Sequence, residues 1–207
     1  GDATVAAVIP THHHPDHWPL APRLGAHFGA PTLGFSACGD YVPERTVADG
    51  EVLDSGEVRM RAIHTPGHAP DHLCYLLDDG TLMSGDHVMG WSTSVISPPD
   101  GRVADYMDGL RLLLARGEAP FFPTHGPPIT DPAPHVQALL DHRLEREQQV
   151  VDLLSDGRRT VAELVAVMYA DVRAELHEPA ARSVGAHLVK LVDEGRVARD
   201  DDRYGLT

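Results

Sequence analysis

The feature that most constrains this chain is a dense group of metal-binding residue types near its N-terminus, in the segment Thr-His-His-His-Pro-Asp-His. The segment follows the apolar, β-branched run Ala3 to Ile9, which predicts a buried strand that carries the group at its C-terminal end. Residues two apart in a loop can turn the same way, so His12 and His14 can chelate one ion while Asp16 and His17 face a second. An affinity tag is a poor alternative explanation for the histidines, because the segment also contains an aspartate at ligand spacing and follows a predicted strand.

Three later segments each place one further candidate ligand at the end of a predicted strand. They are Thr65-Pro66-Gly67-His68, Ser84-Gly85-Asp86 and Thr124-His125-Gly126. Any one of these residues alone would more often be structural. Four loops that converge on one sheet edge instead predict a site for two metal ions.

Composition narrows the class of protein. The chain has 207 residues, of which 42% are apolar, so it can bury the core of one medium domain and one small one. No apolar run approaches the roughly 18 residues that cross a bilayer and no leader pattern is present, which favours a cytoplasmic protein that binds no membrane. Its net charge of −14 opposes non-specific attraction to nucleic acid, whereas its 14 histidines indicate a metal.

The first part of the chain alternates predicted strands and helices, which is typical of an α/β or mixed sandwich. We expect, in order, a short helix after Pro19, hairpins that turn at Asp54-Ser55-Gly56 and at Asp78-Asp79-Gly80, a helix at Tyr106 to Arg116 and a strand at Pro120 to Pro123. Four prolines between Pro127 and Pro134 then predict a boundary, which gives a first domain of residues 1–134.

Residues 135–207 have a different, mostly helical pattern. They predict a long helix at Val136 to Leu154, a helix opened by the capping box Thr160 to Glu163, a third helix at Pro179 to Glu194, and a terminal hairpin of Arg196 to Arg199 with Arg203 to Leu206. Three helices followed by a hairpin describe a winged-helix domain.

Longer motifs support a resemblance to a known family. They are the segment Thr65 to His72, the Ser97-Pro98-Pro99-Asp100-Gly101 segment with Asp105-Tyr106, the His-Arg-x-x-Arg-Glu-x-Gln pattern of His142 to Gln149, and Ala186 to Leu191 leading to Glu194-Gly195-Arg196. Together with the histidine segment, they resemble the metallo-beta-lactamase superfamily and, within it, the beta-lactamase-like protein 2 group. Members of that group append a winged helix to a hydrolase domain. The resemblance covers nearly the whole chain.

The resemblance implies an α+β fold, with a four-layer αββα metallo-beta-lactamase sandwich followed by the C-terminal winged helix. It also implies how the ligands divide: His12, His14 and His68 hold the first metal, Asp16, His17 and His125 hold the second, and Asp86 bridges them. Two zinc ions per chain would lower the pKa of a bridging water and hold the resulting hydroxide near the substrate, so no protein nucleophile is required. Asp16 is expected to have a catalytic part as well, because it can orient the hydroxide or accept its proton.

The chain also departs from the family pattern. Trp18-Pro19 stand where relatives commonly have two glycines, and Thr124 stands where a glycine usually precedes the last ligand. The superfamily normally carries several strands before the first ligand segment, whereas only Asp2 to Pro10 precede it here. We therefore expect an N-terminally truncated sandwich that retains every metal ligand.

The substrate is less constrained, because characterised relatives of the group include thioesterases and single-stranded RNA endoribonucleases. RNA binders normally show a basic stripe, whereas residues 136–207 hold 10 basic and 14 acidic residues. A dinuclear zinc hydrolase of a small ester or thioester is therefore favoured, with an RNA endoribonuclease as the alternative.

Two other functions remain open at this point. A mononuclear iron oxygenase of the persulfide-oxidising type would use His12 or His14 together with His68 and Asp86. A DNA-binding regulator is the weakest alternative, because the third helix of the winged-helix domain is not rich in basic residues. We expect that domain to pack on the hydrolase domain and wall the active-site cleft, with a homodimer as a further expectation.

Overall fold

The computed structural model describes residues 4–207. The helices are α1 (Ala21–Phe28), α2 (Val103–Arg116), α3 (Pro132–Ser155), α4 (Val161–Met168) and α5 (His177–Asp193), with a 3-10 turn at Ala174–Leu176. The strands are β1 (Leu33–Gly34), β2 (Arg45–Thr46), β3 (Val52–Asp54), β4 (Arg59–His64), β5 (Leu73–Leu77), β6 (Leu82–Gly85), β7 (Phe121–Pro123), β8 (Arg159–Thr160), β9 (Val197–Asp200) and β10 (Arg203–Leu206).

The largest sheet has five strands in the order β3-β4-β5-β6-β7. Successive side chains of a strand point to opposite faces, and both faces of this sheet are buried. Ile63 and Cys74 lie on the face covered by α2 and the first half of α3. Ala62 and Leu73 lie on the other face, where they pack with Leu33 of β1. Helices therefore cover one face of the sheet, and the β1–β2 region covers the other.

Strand direction brings the predicted ligand loops to one edge of this sheet. Strands β4 and β6 are both antiparallel to β5, so they run in the same direction, and β7 is parallel to β6. The C-terminal ends of these three strands therefore lie at the same edge. His68 follows β4, Asp86 follows β6 and His125 follows β7.

The expected buried strand from Ala3 to Ile9 is not formed, and this prediction was wrong. Ala3 lies outside the described residues, and from residue 4 onward only Val8 makes a β-bridge, parallel to Thr32. The Val8 N–H donates to the Pro31 carbonyl at 3.0 Å, and the Val8 carbonyl accepts from the Leu33 N–H at 2.9 Å. Residues 4–9 are exposed or half-buried because, in the described chain, this segment pairs along one side alone.

Helix α3 connects the two halves of the described chain. It begins at Pro132, within the tract of four prolines and before the predicted start at Val136, because proline is accepted in the first helical turn. Val136 and Leu140 pack with α2, whereas Val150 and Leu154 pack with α4 and α5. One helix thus contributes to both cores, and the division after residue 134 stays a prediction.

The C-terminal part contains the expected helices and hairpin. The Thr160 side chain accepts from the Glu163 N–H and the Glu163 carboxylate accepts from the Thr160 N–H, which forms the predicted capping box. Strand β8, which the sequence did not predict, pairs with β10 to make the sheet β8-β10-β9. Within residues 4–207, no helix has both the length and the apolar character to cross a membrane.

Candidate metal centre

The structure brings all seven predicted ligands together at the sheet edge. Three of them form a first group in which imidazole nitrogens face one another. His12 Nε2 lies 2.8 Å from His14 Nδ1 and 3.2 Å from His68 Nε2. Two nitrogens bound to one tetrahedral zinc ion would lie about 3.3 Å apart, given zinc–nitrogen bonds of about 2.0–2.1 Å. The spacing of this group therefore suits a single ion.

Asp16, His17 and His125 form the second group. His125 Nε2 lies 3.1 Å from Asp16 Oδ2, and His17 Nε2 lies 3.6 Å from Asp16 Oδ1. The Asp16 side chain is 59% exposed, which makes this end of the site the one that solvent and substrate can reach.

Asp86 lies between the two groups. Its Oδ2 is 3.4 Å from His17 Nε2, 3.6 Å from His125 Nε2 and 3.7 Å from His68 Nε2. Its side chain is 8% exposed, and Oδ1 has no hydrogen-bond partner among the described residues. One carboxylate is therefore placed to serve both groups.

The electrostatics of the first group favour neutral imidazoles. Burial is the largest cause that lowers the pKa of His12, His14 and His68, and that of His14 falls to about 4. Neighbouring imidazoles lower all three further, so protonation is disfavoured near pH 7. Neutral imidazole is the form that ligates metals.

Facing lone pairs repel one another unless something shares them. Within the described chain, His17 Nε2 is a further buried nitrogen without a hydrogen-bond partner. Nitrogen and carboxylate donors in two groups of three, joined by a common carboxylate, match the ligand chemistry of paired zinc ions. The donor set therefore fits the metals that the sequence implies.

Other side chains fix the rings. The Thr11 hydroxyl lies 3.0 Å from His12 Nδ1 and 3.2 Å from His17 Nδ1. His68 Nδ1–H donates to the Val95 carbonyl at 2.6 Å. These contacts hold the opposite nitrogen of each ring towards the cluster, as outer partners do at metal sites.

His72 positions Asp86 instead of meeting substrate. The residue is fully buried. Its Nε2 accepts from the Asp86 N–H at 3.1 Å, so Nδ1 carries the proton and donates to the Thr65 hydroxyl at 2.9 Å. Gly85 is required beside it, because its φ is +55° and a Cβ there would clash with the His72 ring.

The structure also shows a supporting residue that the sequence motifs contained without an assigned role. Asp71, which is buried, accepts from His13 Nδ1 at 2.7 Å and so ties the ligand segment to the loop that carries His68. Asp71 lies within the Thr65 to His72 motif, but its partner lies 58 residues away along the chain.

The chain is similar to several known proteins. Residues 160–205 match the model of the beta-lactamase associated winged helix domain. The chain is 32% identical over 213 residues to an atrochrysone carboxyl ACP thioesterase of Aspergillus chevalieri, covering 95% of this chain and 66% of that protein. It is 28% identical over 211 residues to the beta-lactamase-like protein 2 homolog of Drosophila melanogaster, covering 94% of this chain and 71% of that protein.

A solved structure extends the match to the fold. A beta-lactamase domain protein from Burkholderia ambifaria superposes with a TM-score of 0.85 at 22% identity, covering 100% of this chain and 75% of that one. The chain belongs to the beta-lactamase-like protein 2 family of metallo-beta-lactamase-fold proteins. The predicted family and fold class are thereby confirmed. This family member spans about two thirds of the length of the curated relatives that it matches.

Proposed function

We propose that this protein is a dinuclear zinc hydrolase that cleaves an ester or thioester. The observation that carries the proposal is the pair of three-residue donor groups joined by Asp86. His12, His14 and His68 would hold one ion, and Asp16, His17 and His125 the other. Zinc ions bound there would activate water as the nucleophile and stabilise negative charge on the substrate oxygen.

The protein's own residues divide the remaining work. Asp16 is the most exposed of the ligand candidates, so its carboxylate can orient the attacking water and accept its proton at Oδ1 or Oδ2. The buried residues His12 and His68 face the interior and keep that side of the site dry. Substrate would therefore approach from the side of Asp16 and His125.

The rim of the site favours a substrate with an apolar part. Trp91 is 73% exposed and follows Gly90, whose N–H donates to the His125 carbonyl at 2.8 Å. An exposed indole beside a ligand loop can pack on an acyl or aromatic group. The chain's net charge of −14 disfavours RNA as the substrate, because RNA is also negatively charged. The relative named as a thioesterase supports the same choice.

The test combines metal counting with a substrate panel. The purified chain is analysed for metal per chain, then assayed with acyl thioesters, carboxylic esters and a single-stranded RNA oligonucleotide. We expect two zinc ions and thioester or ester cleavage that is lost in Asp16→Asn. One iron per chain would favour the persulfide oxygenase alternative, and RNA cleavage that is also lost in Asp16→Asn would favour the endoribonuclease. The cytoplasmic location and the homodimer stay predictions.

A further inference from the structure

A cleft lies beside the loop that carries Val95. It has a volume of about 480 Å³ and is bounded by residues 93–96, by α3 and by the segment 169–183. The His142 to Gln149 motif supplies part of its wall, through His142, Arg143 and Arg146. No part of the proposed hydrolysis uses these residues.

The cleft is lined by cations in a strongly acidic chain. Arg143, Arg146 and Arg182 line it, and no described residue of its lining is aspartate or glutamate. Arg182 pairs with Glu178 at the exposed end. Across residues 4–207, no ion pair within 4.0 Å includes Arg143 or Arg146. The whole chain carries 31 acidic against 17 basic residues, so this local excess of positive charge is opposite in sign to the net charge of the chain.

Arg143 gives the strongest support for an anionic ligand. The residue is 2% exposed, and its Nη2 donates to the Thr93 hydroxyl at 2.7 Å and to the Ser94 carbonyl at 2.5 Å. Its Nε has no partner among the described residues, and the guanidinium lies 5.3 Å from the centre of the Tyr106 ring. A buried cation without a counter-ion is strongly disfavoured, and neutral carbonyl and aromatic partners offset that only in part.

Neighbouring groups report the same positive field. Burial and then the charges of Arg143 and Arg146 lower the pKa of His142, so this imidazole stays neutral. Arg146 contacts only neutral groups among the described residues: His142, the Gln149 side chain and the Tyr169 ring. An anion in the cleft would meet both guanidinium groups without competing for an existing carboxylate partner.

The remaining lining is apolar. Val95 and Leu176 are 61% and 47% exposed, and both line the cleft together with Ile96 and Val172. Exposed aliphatic side chains in a concave site favour a ligand whose body is apolar, with a few polar groups fixing its orientation. The chemistry that fits both features is an apolar body with one anionic end.

We propose that this cleft binds an amphipathic carboxylate, with its carboxylate held by Arg143 and Arg146 and its hydrocarbon body lying against Val95, Ile96 and Leu176. The cleft adjoins the metal centre through one loop, because the Val95 carbonyl accepts from His68 and the Ser94 hydroxyl donates to the Asp86 carbonyl. Thioester hydrolysis joins the water oxygen to the acyl carbon, breaks the carbon–sulfur bond and yields a carboxylate and a thiol. The identification of the ligand as the acyl product rests on the proposed function. The binding of an amphipathic carboxylate to the cleft does not.

The test uses octanoate as the probe and calorimetry on the full 207-residue chain after treatment with a chelator. Removing metal separates this site from any carboxylate bound by the metal centre. We expect octanoate to bind, and to bind about ten-fold or more weakly to Arg146→Gln/Arg182→Gln. Octanamide, which has the same body and no charge, should bind no better to the parent than octanoate binds to the variant.

Arg111→Gln is the matched control, because Arg111 lies on the exposed face of α2 in a surface pair with Asp108. It should leave octanoate binding unchanged. Arg146 is replaced because it would hold the carboxylate, and Arg182 because it also lines the cleft and could take the place of Arg146. Arg143 is kept because replacing this buried residue could disturb the loop that it holds. No octanoate binding, or equal binding by the double variant, would overturn the proposal. Binding of octyl phosphate without binding of octanoate would overturn it in favour of a phosphate-bearing ligand. These binding results do not depend on whether the protein cleaves thioesters, so failure of the proposed function would leave this test unaffected.

Discussion

Two clusters of ionisable side chains in this protein are built in opposite ways. At the metal centre, His12, His14 and His68 turn nitrogens towards one another, and burial lowers the pKa of each. Between α3, α5 and β9, Glu147 accepts from Lys190 at 2.6 Å and from Arg196 at 2.7 Å. The first cluster gathers like groups, and the second pairs opposite charges.

The difference separates a binding site from a structural contact. In the Glu147 cluster each charge has its counter-charge within the protein, so folding alone completes it. In the metal centre, His17 Nε2 and Asp86 Oδ1 have no partner in the described chain, and the proposed metal ions would supply the positive charge that this cluster of ligand candidates lacks. Changes at the metal centre should therefore affect metal and turnover, and changes at Glu147 should affect stability.

The largest expected effect is that of His14→Ala. The remaining pair, His12 and His68, cannot hold a dication with a polarised water, so the variant should lose about one metal ion per chain and nearly all hydrolysis. Metal analysis and steady-state kinetics on the same preparation measure both effects. His27→Ala, on the exposed end of α1, is the control and should behave as the parent. Full activity with two zinc ions retained would remove His14 from the ligand set.

Asp16→Asn should have the next largest effect. The amide neither accepts a proton nor supplies charge, so turnover should fall by about 10²-fold or more, with the fold and much of the metal kept. Circular dichroism, metal content and kcat measure these separately. Unchanged kcat would exclude Asp16 from proton transfer.

Most of the fold could be predicted from sequence because its elements have local signals. Turn residues at Asp54-Ser55-Gly56 and Asp78-Asp79-Gly80 set both hairpins, and Thr160 with Glu163 opens α4 as expected. His68, Asp86 and His125 were identifiable because each follows a strand, and strands that run the same way end at the same edge. The other four ligand candidates were identifiable from their spacing within one short segment. The structure brings those residues together, although their role as ligands stays a prediction.

What the sequence did not reveal depends on long-range contacts. The run Ala3 to Ile9 is apolar and β-branched, yet β-bridges need a neighbour, and in the described residues only Val8 has one. The cleft around Arg143 is likewise invisible in sequence, because its wall combines residues 93–96 with α3 and the segment 169–183. The His142 to Gln149 motif was visible in the sequence, but the sequence did not show that its side chains face a cleft.

Glu147→Gln tests the structural side of the comparison. Removing one partner of a buried ion pair leaves Lys190 without a charge that it contacts at 2.6 Å, although Glu194 remains within 2.7 Å. We expect the free energy of unfolding to fall by about 3 kcal/mol, with metal content unchanged. Urea denaturation measures it. Glu178→Gln, which breaks an exposed pair with Arg182, should cost at most about 0.5 kcal/mol. Equal effects of the two variants would contradict the structural role of the Glu147 cluster.

The smallest expected effect concerns His187, a buried imidazole outside both clusters that has no hydrogen-bond partner in the described chain and is not a ligand candidate. His187 is 1% exposed, neither ring nitrogen has a hydrogen bond within the described chain, and burial followed by the charges of Arg143 and Lys190 lowers its pKa to about 3. The unfolded chain binds a proton here near pH 6.5, whereas the folded chain does not until about pH 3. Stability is therefore lost as pH falls below 6.5.

His187→Leu should remove that contribution. Between pH 8 and pH 5, the free energy of unfolding of this variant should fall by about 2 kcal/mol less than that of the parent, as measured by urea denaturation. His27→Leu, at an exposed position, should leave the pH dependence as it is. An identical pH profile for His187→Leu and the parent would mean that His187 has the same pKa in the folded and the unfolded chain, so that burial does not keep this imidazole neutral.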